Sequence, residues 1–93
     1  NYQSVGKTSE THPSFYPLGL KFRSFGWDVK QVFGHKTEDL FKSFKSWKQK
    51  NPLVVIAKTI KGYPVDFMID NPIWHYRSPN KKELEIAYQQ IEK

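Results

Sequence analysis

Apolar residues along the chain fall into short blocks whose spacing alternates between helical and extended periods. Residues 1–14 are polar, with Gly6, Pro13 and scattered Ser and Thr, and read as loop. From Tyr16 to Phe25 the spacing predicts a helix, with Pro17 at its first position and Leu18, Phe22 and Phe25 on one face. Gly26, which can take the left-handed conformation, is its stop. Residues 27–33 then read as a short strand before the Gly34-His35 turn. Thr37 opens the clearest helix: its hydroxyl can cap free amides, and Glu38 and Asp39 sit at the positive end of the dipole. Leu40, Phe41, Phe44 and Trp47 form the expected apolar stripe, with Lys42, Lys45, Lys48 and Lys50 facing water and Asn51-Pro52 as the stop. Leu53 to Ala57 is a continuous β-branched run, the pattern of a strand covered on both faces.

Residues 58–80 are irregular, with Gly62, Pro64, Pro72 and Pro79, and long irregular loops are usually functional or disordered. Phe67, Met68, Ile73, Trp74 and Tyr76 are too many large apolar groups for disorder. Asn80-Lys81-Lys82-Glu83 predicts a capping box, followed by a helix with Leu84, Ala87, Tyr88 and Ile91 on its buried face. The resulting order is loop–α–β–α–β–long loop–α. Strands separated by helices pair in parallel. Two such strands make only part of a sheet, so the expected fold class is α/β, a partial doubly wound parallel sheet.

Composition narrows the picture further. The chain has 93 residues, no cysteine, and 15 Lys+Arg against 9 Asp+Glu, a net charge of +6. Lack of cysteine removes disulfides, thiolate metal sites and cysteine nucleophiles, and fits a reducing compartment. A cytoplasmic location is expected. Hydrophobic residues make up 38%, below the roughly 45–50% of ordinary domains, but aromatics reach 16%. An ordered chain with a thin core follows. No run approaches the roughly 18 apolar residues of a membrane span, and nothing at the start resembles a signal peptide. Thirteen of the 15 cations are Lys, the poorer bidentate reader of phosphates and guanine, so neither nucleic acid nor membrane is the expected partner.

Ligands of open parallel sheets bind beyond the carboxyl ends of the strands. Lys58-Thr59-Ile60-Lys61-Gly62 occupies that place after Ala57. Lys58 and Lys61 could meet a phosphate, with Gly62 letting the backbone approach, or they could be ordinary solvated lysines. His75 follows Trp74 in the long loop, where Trp74 could simply be an anchor. His12 and His35 look like turn residues, and Asp66 and Asp70 lack a His or Cys to complete a metal site. On residue chemistry alone this is an anion-binding α/β segment without a complete active site.

Phe22-Arg23-Ser24-Phe25-Gly26-Trp27, Gly34-His35, Ile56-Ala57-Lys58-Thr59-Ile60-Lys61-Gly62, Trp74-His75 and Ser78-Pro79-Asn80 occur in an order that resembles transketolases. The resemblance is closest to the separately encoded N-terminal subunits of bacterial transketolase-like enzymes and runs from Asn1 to Lys93. It implies the later part of the domain that binds the diphosphate of thiamine diphosphate. Residues 1–14 would be a cofactor-side loop, 15–57 the α-β-α-β part, 58–80 the cofactor and substrate loop, and 81–93 a closing helix. By the resemblance, Lys61 contacts the cofactor, and His75 reaches both its diphosphate and the sugar substrate in a catalytic role. The family's magnesium is held by an aspartate of a GDG motif, an asparagine and a backbone carbonyl two residues on. Two alignments are open: Asn1 with the carbonyl of Gln3, or the preceding residue with the carbonyl of Tyr2.

The chain also departs from the family pattern. No GDG motif is present, Tyr63-Pro64 follows Gly62, Tyr76 follows His75, and Lys36 follows Gly34-His35 where an aspartate is frequent. The implied function is part of an enzyme moving a two-carbon ketol unit between sugars or sugar phosphates. The chain by itself is expected to be inactive. Its implied partners are the upstream part of the domain and a pyrimidine-binding domain or subunit, in a homodimer or heterotetramer. The competing readings are a non-catalytic assembly or regulatory module that keeps the fold, and a basic nucleic-acid binder.

Overall fold

The computed structural model describes residues 2–3 and 6–93. In chain order these form β1 (Tyr2–Gln3), β2 (Gly6–Lys7), α1 (Thr8–Thr11), a 3-10 turn (Pro13–Phe15), α2 (Leu18–Ser24) and β3 (Asp28–Phe33). They continue with α3 (Thr37–Lys45), β4 (Leu53–Lys58), 3-10 turns at Asp66–Met68 and Pro72–His75, and α4 (Lys81–Ile91). Contacts group residues 12–59 as one unit, and the N-terminal residues with 60–93 as another.

In the 12–59 unit, β3 and β4 pair in parallel with Asp28 opposite Leu53 and Phe33 opposite Lys58. The α/β reading with parallel strands therefore holds. Alternate residues of a strand face opposite sides, and helices cover both sides of this pair. A Cβ on Gly19 of α2 would meet Val29, Gln31 and Ile56 at 3.0–3.6 Å, so α2 lies on the side of the odd-numbered β3 residues. On the other side, Lys30 Nζ donates to the Ser43 carbonyl of α3 at 2.9 Å and to Ser46 Oγ. One helix on each face is the arrangement of a doubly wound sheet.

The end of α2 is a Schellman motif, the expected stop at Gly26. Gly26 has φ +87°, its N–H donates to Arg23 O at 2.9 Å, and Trp27 N–H donates to Phe22 O at 3.1 Å. The Trp27 and Phe22 rings meet edge-on at 5.8 Å, the apolar contact that accompanies such caps. Several expectations here are corrected. Pro17 is the N-cap and not the first helical residue, and Phe25, beyond the last turn, is 81% exposed. The N-cap of α3 is Lys36, without a side-chain bond, so Thr37 does not cap. α3 also ends at Lys45, well before Asn51-Pro52. Lys30 holds a carbonyl of its last turn, and Trp47 Nε1 donates to Asn51 O at 2.9 Å in the chain that leaves it.

The apolar stripe of α3 is divided. Leu40 and Trp47 are half-buried around the buried Ser43, while Phe41 and Phe44, one step around the helix, are exposed. Lys45 lies 5.9 Å above the Phe41 ring.

In the other unit, the segment expected as loop carries the antiparallel pair β1–β2 and the single turn α1. The predicted capping box of α4 is present: Asn80 Oδ1 accepts from Glu83 N at 2.9 Å, and Glu83 Oε2 accepts from Asn80 N at 2.8 Å. Of the face expected to be buried on α4, only Ala87 is. Leu84, Tyr88 and Ile91 remain 40–57% exposed. Among the described residues Gly19, Ser43, Val65 and Ala87 are the buried ones. The core is as thin as the composition predicts.

Candidate functional site

The segment after β4 folds back on itself through backbone bonds. Tyr63 N donates to Ile60 O at 3.2 Å and Val65 N to Gly62 O at 3.0 Å, making the turn that carries Lys61. Gly62 has φ +82°, and a Cβ built on it would lie 2.1 Å from Met68 O and 2.4 Å from Met68 C. The space left by the missing side chain is filled by the chain's own backbone. The close approach that Gly62 permits in the structure is that of the chain's own backbone at Met68 and Ile69.

Asp70 N donates to Lys61 O at 2.9 Å and closes the loop. Asn71 follows directly, and its side chain accepts from Ile73 N at 3.2 Å to cap the 3-10 turn that ends in His75. Lys61 thus starts a loop closed at Asp70, and His75 ends the capped turn that follows it directly.

Two further sets of contacts hold this loop. Asp66 N donates to Gln90 Oε1 at 2.9 Å, and Gln90 Nε2 donates to Asp66 Oδ2 at 3.0 Å, so α4 grips the first 3-10 turn. Trp74 Nε1 donates to Phe67 O at 2.9 Å, and the two rings lie 5.1 Å apart. The Arg77 guanidinium lies 3.9 Å from the centre of the Trp74 ring. It forms a two-pronged pair with Glu83, at 2.6 and 3.0 Å. The pair holds the Glu83 carboxyl below its ordinary value, chiefly through the Arg77 bond and then through the Asn80 N–H. The Arg77 guanidinium is raised for the same reason.

The candidate residues sit as follows. Lys61 is half-buried in its turn, His75 is exposed, and the Tyr76 ring, 73% exposed, meets the His75 ring edge-on at 5.4 Å. Lys58 is the exposed last residue of β4, whose carbonyl accepts from Gly34 N at 2.7 Å. Gly34 is close-packed: a Cβ there would meet Ala57 Cβ at 3.0 Å and Thr59 Cγ2 at 2.6 Å. His35 lies in that turn, 5.5 Å from the Phe33 ring, and His12 precedes the first 3-10 turn. Asn1 lies outside the described residues, while Tyr2 and Gln3 form β1. Among the described residues no group of three or more His, Cys, Asp or Glu could hold a metal ion. No described helix is long and apolar enough to cross a membrane.

Sequence reasoning missed Arg77 and Gln90. Gln90 gave no local signal. Arg77 did give one, since it is one of only two arginines in a lysine-rich chain and lies six residues before the glutamate of a capping box.

No protein-family model matches the chain. Curated relatives do. One of the subunits of apulose-4-phosphate transketolase from Phocaeicola vulgatus is 29% identical over 98% of the chain and 33% of its own length. The 6-deoxy-6-sulfo-D-fructose transketolase subunit SqwG of a Clostridium species is 30% identical over 98% of the chain and 34% of its own length. Human transketolase is 37% identical over 73% of the chain and 11% of its own length. The chain therefore spans about a third of the length of the subunits it matches. With transketolases of separate substrates and distant organisms aligning along this one stretch, the chain belongs to the transketolase family.

Proposed function

We propose that this chain is the later part of the diphosphate-binding domain of a thiamine-diphosphate-dependent, transketolase-like transferase. One observation supports the reading: the two residues that match the family's cofactor contacts are carried by consecutive ordered turns, Lys61 on the loop closed by Asp70 N to Lys61 O and His75 on the 3-10 turn capped by Asn71. Their chemistry fits an anionic group. An ammonium and an imidazole N–H are donors that a diphosphate accepts, and neither needs rearrangement of the backbone that bears it. When bound, thiamine diphosphate supplies the carbanion chemistry that breaks and makes the bond to a two-carbon ketol unit. Lys61 holds negative charge at the diphosphate. His75, exposed at the end of its turn, holds a proton at an imidazole nitrogen for hydrogen bonding to diphosphate or sugar oxygen. A divalent cation, Mg²⁺ by the chemistry of oxygen ligands around phosphate, would take oxygen from Asn1 and the carbonyl of Gln3, or from the carbonyl of Tyr2.

Large apolar side chains left exposed support association with further protein surface: Leu20 on α2 and Phe25 just after it, Phe41 and Phe44 on α3, and Tyr88 and Ile91 on α4. The partners in this reading are the rest of the domain and a pyrimidine-binding domain or subunit, in a homodimer or heterotetramer. Two-carbon transfer between sugars or sugar phosphates is the activity of that assembly.

A chimera tests this. The chain replaces the matched third of the Phocaeicola protein, and thiamine diphosphate with Mg²⁺ is titrated into the folded, assembled product by calorimetry. Binding is expected, weakened on the order of tenfold or more by K61M, as loss of a charge-assisted bond requires. A folded chimera that does not bind the cofactor, or whose binding ignores K61M, overturns the reading.

A further inference from the structure

We propose that Arg77 is the positioning residue for His75, acting by clamping the indole of Trp74. The inference rests on the reading of His75 as a cofactor-facing group and names what holds that group in place.

His75 does not hold itself. Its side chain is exposed, and the aromatic ring it meets among the described residues is that of Tyr76, itself exposed. Orientation must come from the backbone on either side. On the near side, Trp74 is fixed by its Nε1 bond to Phe67 O and by the Phe67 ring. On the far side, Tyr76 N and Arg77 N both donate to Ile73 O, at 3.0 and 3.2 Å, drawing the chain into a tight turn around His75. The Arg77 guanidinium then folds back to 3.9 Å over the Trp74 ring, so residues 74 and 77 enclose residues 75 and 76.

The guanidinium is itself oriented. Both carboxylate oxygens of Glu83 receive it, and Glu83 is held by the reciprocal bonds with Asn80 that start α4. A rigid helix start is thereby connected, through two planar groups, to the turn that carries the imidazole. Lysine cannot replace arginine here. An ammonium is a point charge with neither a flat face for the indole nor a fork for the carboxylate. Two requirements met by one group distinguish a clamp from an incidental surface ion pair.

NMR of the full chain carrying ¹³C,¹⁵N-labelled histidine and backbone tests the clamp, following the His75 Cε1–Hε1 resonance and backbone order at residues 74–77. The chain as it stands gives a single sharp His75 resonance and order parameters near the rigid value of about 0.85. R77K and R77A shift and broaden that resonance and lower the order of residues 74–77 toward about 0.6. The α4 amides keep their helical shifts, because Asn80 and Glu83 still cap each other. N80A is the control: it removes the Asn80 Oδ1 bond to Glu83 N but keeps the backbone Asn80 N–H on Glu83 Oε2, so the Arg77 fork and the indole stack remain. An unchanged His75 resonance in R77K and R77A overturns the proposal, as does an equal response to N80A. The readout contains no cofactor, so its failure is separate from failure of cofactor binding in the chimera.

Discussion

Gly26 and Gly62 provide a matched pair of perturbations. Their φ angles are +87° and +82°, so alanine at either position meets similar left-handed strain, about 1–2 kcal/mol. Their surroundings differ completely. Nothing lies within 4 Å of a Cβ at Gly26, whereas a Cβ at Gly62 would lie 2.1 Å from Met68 O, 2.4 Å from Met68 C and 2.9 Å from Ile69 N. All three atoms are backbone, so no rotamer change relieves the overlap. G26A should therefore cost only the strain, about 1–2 kcal/mol. G62A adds an overpacking cost of roughly 1–3 kcal/mol, making roughly 2–5 kcal/mol together. At about 4–8 °C per kcal/mol for a chain of this size, the added overpacking lowers the Tm of G62A by roughly 4–24 °C more than that of G26A. Urea or thermal unfolding followed by circular dichroism measures both variants. Hydrogen exchange at the Asp70 amide, which is bonded to Lys61 O, localises the effect. G62A costing no more than G26A, or an Asp70 amide equally protected in G62A, would refute the claim that Gly62 serves the chain's own close approach.

Other outcomes follow from the same loop and helix. N80A removes the cap of α4 and should cost about 1 kcal/mol, read as a lower Tm with fraying at residues 81–84 in hydrogen exchange. Glu83 has a folded pKa below its ordinary value of 4.5 because Arg77 and the Asn80 N–H favour its charged form. Its stabilising effect is complete above about pH 4.5 and is lost as pH falls through the depressed value. Helicity of α4 should drop over that acid range, and E83Q should flatten the dependence. An unaltered acid profile in E83Q would exclude the Arg77–Glu83 pair as its source. Loss of thiamine diphosphate affinity in the K61M chimera and release of the His75 ring in R77K complete the set.

Local chemistry was legible where a signal and its consequence lie within a few residues. The Asn80–Glu83 capping box, the Gly26 stop, both parallel strands and the Gly34-His35 turn were all read from adjacent residues, and all are present. The start of α3 was not. Lys36, with no side-chain bond, takes the cap position that Thr37 was expected to hold, because a hydroxyl one residue inside a helix cannot do the work of one at its border. The face of α3 was misread for a different reason. Periodicity selects a broad apolar sector, but Lys30 reaching Ser43 O and Ser46 Oγ rotates the contact toward Leu40, Ser43 and Trp47. That leaves Phe41 and Phe44 outside.

The candidate site divides in the same way. Lys61, Gly62, Trp74 and His75 are visible in the chain as motif residues, and the order of those motifs is enough to identify the family. Their arrangement comes from contacts that cross the chain: Asp70 to Lys61, Gln90 to Asp66, Met68 against Gly62, and Arg77 between Trp74 and Glu83. Sequence by itself determined the α/β class, the parallel pairing, and the helix borders marked by Gly26 and Asn80, and it singled out the candidate residues of the proposed site. Backbone propensity and periodicity are local properties, and a linear chain records them directly. Tertiary structure alone decided which face of α3 is covered, what the space beside Gly62 holds, and what orients the turn carrying His75. Each of these depends on groups brought together only when the chain closes on itself.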